Sequence, residues 1–324
     1  MTGVQIALIR LLQTQAAWLA APMLLFSLLG QPEFFLLVIA YLYWCSNPRL
    51  GLRLGLLMGI SGGLNEVLKV VFHLPRPYWV SPEVRALAPH PSFGLPSGHT
   101  QGAVTFWGLL AATARRRWFS LLVVVLIVLI GVSRIFLGAH FPVDVITGAA
   151  LGLAILIGFL ALEEPAGRRI AALPVSRQIL LAFAGSLVLV LVSSAALSAI
   201  GGWQVPAAWS EGAIQQSGQP IDPLDPTRSA TAAGFFFGFA AGAAVVWPRE
   251  MDICAARTRS GHLLRYAFGL TVAGAIWLLP GFFISPESVL LAYTLQYIQS
   301  AAAAAWVSCG APAVFARMHP AGRA

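Results

Sequence analysis

Apolar residues in this chain come in long unbroken runs divided by short polar breaks. They do not show the alternation that marks a half-buried element. Ten such runs can be traced: 16–29, a break at GQPE, 34–45, 54–72, 99–114, 118–138, 141–162, 178–200, 229–247, 266–284 and 289–307. A helix needs roughly 20 apolar residues to cross a bilayer core, and most of the runs approach that length. The first two are short, which predicts a tilted span or a re-entrant pair. Continuous apolarity argues for helices over the alternating strands of a membrane barrel. The expected fold is therefore all-α, a polytopic transmembrane helical bundle. Six helices would fall within residues 1–165, and about four additional C-terminal transmembrane helices, of unassigned role, within 166–324.

Composition fixes the solvent. The chain is 58% hydrophobic and only 10% charged, with a mean hydropathy of +0.79, against about 25% charged in soluble proteins. A formal charge of +8 raises the question of nucleic acid, but a nucleic-acid footprint is a patch or stripe. Here the arginines sit in small groups between apolar runs, the pattern of topology signals. No nucleic-acid partner is expected.

With the N-terminus inside, the cytoplasmic segments hold Arg10, Arg49, Arg53, Arg115 to Arg117, Arg168, Arg169, Arg177, Arg249, Arg257, Arg259, Arg265, Arg317 and Arg323. The outer side keeps only Lys69, Arg76, Arg85, Arg134 and Arg228. This asymmetry predicts a multi-pass protein of a bacterial inner or plasma membrane with both termini cytoplasmic. Arg10 ahead of an apolar run resembles the start of a signal peptide, yet no small-residue cleavage site follows, so a retained first helix is expected. Cys45, Cys254 and Cys309 are far apart and lack ligand spacing, which predicts neither a disulfide framework nor a zinc site.

Three stretches on the outer side carry candidate chemistry: KVVFHLPRP with Lys69 and Arg76, PSGHT with Ser97, Gly98 and His99, and SRIFLGAHFPVD with Arg134, His140 and Asp144. Charged and titratable groups at the edge of hydrocarbon are costly and tend to be functional. Lys69, the sole lysine of the chain, joins Arg76 and Arg134 as cations suited to a phosphate, lysine as a point charge and arginine as a fork. Ser97 can cap the fourth helix, and Gly98 lets its N-terminal N–H groups approach an anion. His140 and Asp144 are four apart, so they share a face if a helix has begun there, with Pro142 tolerated in its first turn. The carboxylate would then hold the imidazole tautomer and leave the other nitrogen as a nucleophile. His99 would serve as the acid and base.

The three stretches resemble the type-2 phosphatidic acid phosphatase superfamily, whose pattern is Lys, six residues, Arg-Pro; Pro-Ser-Gly-His; and Ser-Arg, five residues, His, three residues, Asp. The resemblance covers roughly residues 50–160 and leaves the final four spans unassigned. It implies a metal-independent membrane phosphatase, with no cofactor, that hydrolyses a lipid phosphate monoester or diphosphate at the extracytoplasmic face through a phosphohistidine. His140 would be the nucleophile, His99 the acid/base, Asp144 the partner of His140, and Lys69, Arg76, Ser97, Gly98 and Arg134 the phosphate ligands. Two alternatives stay open: a lipid-to-lipid phosphotransferase using the same site, and a non-enzymatic lipid-binding or transport protein. No residue pattern reports the oligomeric state.

Other polar residues are expected to be structural or solvated: His73, His90, His262 and His319, with Arg85 and Arg228. Glu66, one turn before Lys69, is expected to pair with it and point away from the anion. The outer loop around Trp203 and Trp209 reads as an interfacial segment beside the site or as an ordinary connector. Small-residue runs such as AGFFFGFAAGAA predict close helix packing.

Overall fold

The computed structural model describes residues 2–246, 259–283 and 288–318. Cys254, His319, Arg249, Arg257 and Arg323 lie outside the described residues. The helices are α1 (Thr2–Gln15), α2 (Ala20–Leu28), α3 (Pro32–Tyr41), α4 (Pro48–Phe72), α5 (Pro77–Val80), α6 (Gly98–Ala114), α7 (Arg117–Phe136) and α8 (Pro142–Ala171). They continue with α9 (Val175–Ala199), α10 (Ala207–Ser217), α11 (Thr227–Val246), α12 (Arg259–Leu278), α13 (Pro280–Phe283), α14 (Val289–Ala305) and α15 (Ala311–Met318). The fold is all-α, with no strand among the described residues.

Exposure is inverted relative to a soluble protein. On α7 and α8, Leu121, Leu122, Val124, Ile146 and Ile157 are exposed, while Arg134, His140, Asp144 and Ser97 are buried. Apolar flanks and a polar interior are what lipid as solvent selects, since hydrocarbon satisfies no polar group. The chain is a multi-pass integral membrane protein.

Among the described residues, six helical stretches are long and apolar enough to cross a membrane, or seven if the α1–α2 pair, bent by 86°, counts as one span. The sequence shows ten apolar runs, and the difference has local causes. The first run is folded into that bent pair, the second forms the shorter apolar stretch Pro32–Ser46, and α6 has 17 residues. The ninth run begins among polar residues of α12, His262 and Arg265, which lower its apolarity.

The chain divides into two compact units. One comprises Met1–Phe35, Leu64–Phe159 and Ser193–Asp225. Within it α6 and α2 pack on α7, and α10 packs on α5. Phe35 stacks on Phe106 with centroids 4.4 Å apart. A second apolar cluster gathers Ile9, Tyr78, Trp79, Phe93, Phe141 and Ala213. Gln13 of α1, 4% exposed, fastens this unit: its amide donates to the carbonyls of Arg85 at 3.0 Å and Phe136 at 2.9 Å and accepts from the Arg85 N–H at 3.0 Å.

The other unit comprises Leu36–Gly63, Leu160–Val192 and Pro226–Ala324. Its centre is the α11–α14 pair, where Gly234, Gly238 and Gly242 lie against Tyr297, Ala301 and Ser308. The small-residue run thus packs within the chain, backbone close to backbone. Arg53 and Glu163 form a two-pronged ion pair at 2.7 Å.

Candidate active site

All eight sequence-predicted site residues fall in the first unit. α4 ends with Lys69 in its last turn. Its Nζ lies 3.1 Å from Glu66 Oε1 and 3.2 Å from Ser92 Oγ, so the expected Glu66–Lys69 pair forms. Arg76 follows in extended conformation at the N-cap of α5, with Pro77 opening that turn, as proline's fixed φ favours.

Arg76 is 1% exposed, and its guanidinium is held from several sides. Nε donates to the Ser92 carbonyl at 2.6 Å, Nη2 to Ser92 Oγ at 3.1 Å and the Phe93 carbonyl at 3.0 Å, and Nη1 to the Ala139 carbonyl at 2.8 Å. Nη1 also lies 3.2 Å from His140 Nε2. A planar fork with five donors can hold so many acceptors in one place; an ammonium cannot.

Ser97 caps α6, its hydroxyl accepting from the Thr100 N–H at 3.4 Å. Gly98 and His99 therefore form the first turn of α6, the positive end of its dipole. Ser97 donates its own backbone N–H to the Asp144 carbonyl at 3.0 Å, which ties the PSGH turn to the start of α8. Arg134, in the last turn of α7, donates to the Ser27 hydroxyl. Its carbonyl receives the backbone N–H groups of Ala139 and His140 at 3.1 and 3.2 Å, which fixes the turn leading to the imidazole.

His140 precedes α8, and its Nδ1 lies 3.3 Å from Asp144 Oδ2. The same oxygen accepts the Phe141 N–H at 2.9 Å, an acidic residue reaching back to cap its own helix. These neighbours assign the tautomer. A guanidinium only donates and a carboxylate only accepts, so Nδ1 carries the proton and Nε2, facing Arg76, presents a lone pair. Burial pushes the His140 imidazole well below its ordinary value of 6.5, and the charges of Arg76 and Arg134, then His99 and Lys69, push it further. The ring is neutral at pH 7. His99 Nε2 and Arg134 Nε are buried and have no hydrogen-bond partner; such atoms cost about 1–3 kcal/mol each unless a ligand meets them. Among the described residues no group of three His, Cys, Asp or Glu side chains is placed to hold a metal ion.

Several residues that support this arrangement carry no signal in the motif spacing. Asn65, one turn before Lys69, donates to Gln101 Oε1 at 2.9 Å and to the Pro96 carbonyl at 3.5 Å. Ser92 and Phe93 hold Arg76. His90, read from sequence as structural or solvated, lies 3.0 Å from Ser92 Oγ. Ser92 and His90 lie in the loop between Arg76 and Ser97, and Asn65 lies within the apolar run of α4. The loop with Trp203 and Trp209 also proves more than a connector: it contains α10, and the two indoles pack on Phe93 and Trp79 at 5.9 and 6.1 Å, beside the segment that carries Arg76.

Comparison with known proteins gives two family matches and several relatives. The family profile described as PAP2 superfamily matches residues 50–168. A second, described as PAP2 superfamily phosphatase, transmembrane extension, matches residues 230–323, which brings in C-terminal spans that the sequence motifs alone leave unassigned. An undecaprenyl-diphosphatase of Bacillus subtilis is 39% identical over 32% of this chain and 51% of its own length. Phosphatidylglycerophosphatase B of the same organism is 29% identical over 45% of this chain and 76% of the relative. An undecaprenyl-diphosphatase of Sulfolobus acidocaldarius is 32% identical over 50% of this chain and 78% of the relative. The chain thus spans about half the length of the first of these relatives. No solved structure matches it. With two profiles of one superfamily on the chain and a Sulfolobus relative 32% identical over 78% of its own length, the chain belongs to the PAP2 superfamily.

Proposed function

We propose that this protein is a membrane phosphatase that hydrolyses a lipid phosphate monoester or diphosphate at the extracytoplasmic membrane–water interface. The observation that carries the reading is the polarity of His140: Nδ1 on Asp144 Oδ2 at 3.3 Å and Nε2 beside Arg76 Nη1 at 3.2 Å. A binding protein needs the cations of Lys69, Arg76 and Arg134 but no imidazole lone pair set among them.

In this reading the phosphate seats on Lys69, Arg134 and the N–H groups of the first turn of α6 from Gly98 onward, and on Arg76 through the Nη1 hydrogen that faces His140 Nε2, the other Arg76 donors being held by Ser92, Phe93 and Ala139. His140 Nε2 attacks phosphorus, forming the N–P bond as the P–O bond to the lipid alcohol, or to its remaining phosphate, breaks. His99 gives its proton to that leaving oxygen. Water then attacks phosphorus while His99 takes its proton, the N–P bond breaks, and inorganic phosphate leaves. The fixed cations stabilise the oxygens as charge shifts, without moving to do so. Asp144 steadies the positive charge that grows on the imidazole. In this reading the chemistry belongs to residues 1–165.

The outward placement rests on the scarcity of arginine on the side that holds the site. There a lipid presents its phosphate without leaving the membrane. Two relatives named for undecaprenyl diphosphate and one for phosphatidylglycerophosphate put a polyprenyl diphosphate and phosphatidylglycerol phosphate first in a test panel.

The test is phosphate release by purified protein in detergent from that panel, with phosphatidic acid, a sphingoid-base phosphate and a water-soluble sugar phosphate for contrast. Wild type is expected to release phosphate from at least one lipid with a chelator present, to be inhibited by vanadate, and to lose activity on His140→Ala. Full activity in His140→Ala, or an absolute need for added Mg²⁺, would overturn the reading.

A further inference from the structure

We propose that Ser92 and His90 are positioning residues that set two of the phosphate-binding cations, Lys69 and Arg76, through one shared hydroxyl. The inference rests on the phosphatase reading and names the device that keeps its cradle in register.

Ser92 is 2% exposed, and its Oγ has three polar neighbours: Lys69 Nζ at 3.2 Å, Arg76 Nη2 at 3.1 Å and His90 Nδ1 at 3.0 Å. Ammonium and guanidinium groups only donate, so both lone pairs of the hydroxyl are taken by the cations. Its single proton must then go to His90 Nδ1. The Ser92 backbone N–H points to the same nitrogen at 3.2 Å. Two donors on one ring nitrogen assign it as an acceptor, so the His90 proton resides on Nε2.

The alternatives fail on counting. Were Nδ1 protonated, it would face the Ser92 N–H and O–H donor to donor. The hydroxyl would then have to turn its proton toward a cation, and Lys69 or Arg76 would lose an acceptor in a site too buried for water to replace it cheaply.

His90 is fixed in turn. The Tyr78 hydroxyl donates to the His90 carbonyl and accepts from the His90 N–H, both at 2.9 Å. Tyr78 is 1% exposed and lies two residues beyond Arg76. The segment that carries Arg76 therefore anchors the loop whose serine orients Arg76, and the loop closes on itself. Lys69, on the end of α4, is drawn into the same register. Two cations that would repel one another if left to set their own spacing share a single acceptor. None of these three residues is needed to reach the substrate; they act through Lys69 and Arg76.

The experiment compares wild type, Ser92→Ala, His90→Leu and His140→Ala in detergent with the best lipid phosphate of the panel, reading kcat, KM, vanadate inhibition and thermal melting. Misplaced cations weaken every phosphate-like ligand. Ser92→Ala is expected to raise KM and the vanadate inhibition constant together by about tenfold, with His90→Leu giving a smaller shift in the same direction. A residue that merely stabilised the fold would lower kcat through a smaller folded fraction and leave KM and vanadate inhibition unchanged, and that pattern overturns the proposal. His90 is partly exposed, so its variant decides the matter if Ser92→Ala does not fold. The two levels separate cleanly. A wild type that releases no phosphate, or a fully active His140→Ala, sinks the phosphatase reading. A dead His140→Ala beside a Ser92→Ala with unchanged KM and vanadate inhibition sinks only this inference.

Discussion

Asp144→Asn isolates one charge. Because a single oxygen, Oδ2, accepts both the Phe141 N–H at 2.9 Å and the His140 ring at 3.3 Å, an asparagine carbonyl can take both contacts in the same geometry. What the variant loses is the negative charge facing a ring that becomes cationic as Nε2 bonds to phosphorus. At 3.3 Å and an effective dielectric constant of about 20, that interaction is worth about 5 kcal/mol. The asparagine dipole restores part of it. A kcat loss of about 10²–10³ is expected, at about 1.4 kcal/mol per factor of ten, with KM little changed because the ring is neutral in the ground state. The assay is steady-state phosphate release from the best lipid substrate, with melting to confirm folding. Asp144→Ala, which also strands the buried Phe141 N–H, should add about 1–3 kcal/mol of destabilisation. If folded Asp144→Asn keeps more than a tenth of wild-type kcat, or loses activity through KM alone, the argument that Asp144 supports charge on His140 fails.

Two further outcomes follow from the geometry. Burial holds the folded His140 imidazole well below its ordinary 6.5, so below that pH the unfolded chain takes up a proton that the folded one refuses. The stability from a neutral His140 is complete above about pH 6.5 and lost as pH falls, by at most about 1.4 kcal/mol per pH unit. Melting of wild type should therefore drop more between about pH 6.5 and 5 than that of His140→Gln, and equal slopes would contradict the assignment. At Gly148 a Cβ would lie 2.5 Å from the Ser97 carbonyl oxygen and 3.2 Å from its nitrogen, backbone that cannot turn aside. Gly148→Ala should cost about 1–3 kcal/mol and lower kcat/KM by displacing the PSGH turn; wild-type melting and turnover together would refute that.

The extent of what could be read from sequence follows the range of the interactions involved. Membrane residence was legible because the bilayer acts on every residue of a run at once, so composition and run length report it without any tertiary knowledge. The eight motif residues were legible because each group is local: Lys69 to Arg76 spans one helix end, Ser97 to His99 one cap, and His140 to Asp144 one helix start. The Glu66–Lys69 pair and the Ser97 cap likewise join residues three apart.

Span number does not follow from run length alone. Whether α6 or the α1–α2 pair crosses depends on where a helix bends and what its polar residues meet. The supporting residues were hidden for a stronger reason. Arg76 owes its place to carbonyls 16, 17 and 63 residues away, and Asn65 meets Gln101 across 36. No periodicity encodes such pairings; they exist only once α4, α6, α7 and α8 have packed. By itself the sequence determined the solvent, the helical class and the candidate reacting groups, since these follow from hydration and side-chain chemistry. Only the tertiary structure decided which nitrogen of His140 faces the cations and that Ser92 and His90 stand behind them, because a hydrogen bond has direction and its direction is set by long-range packing.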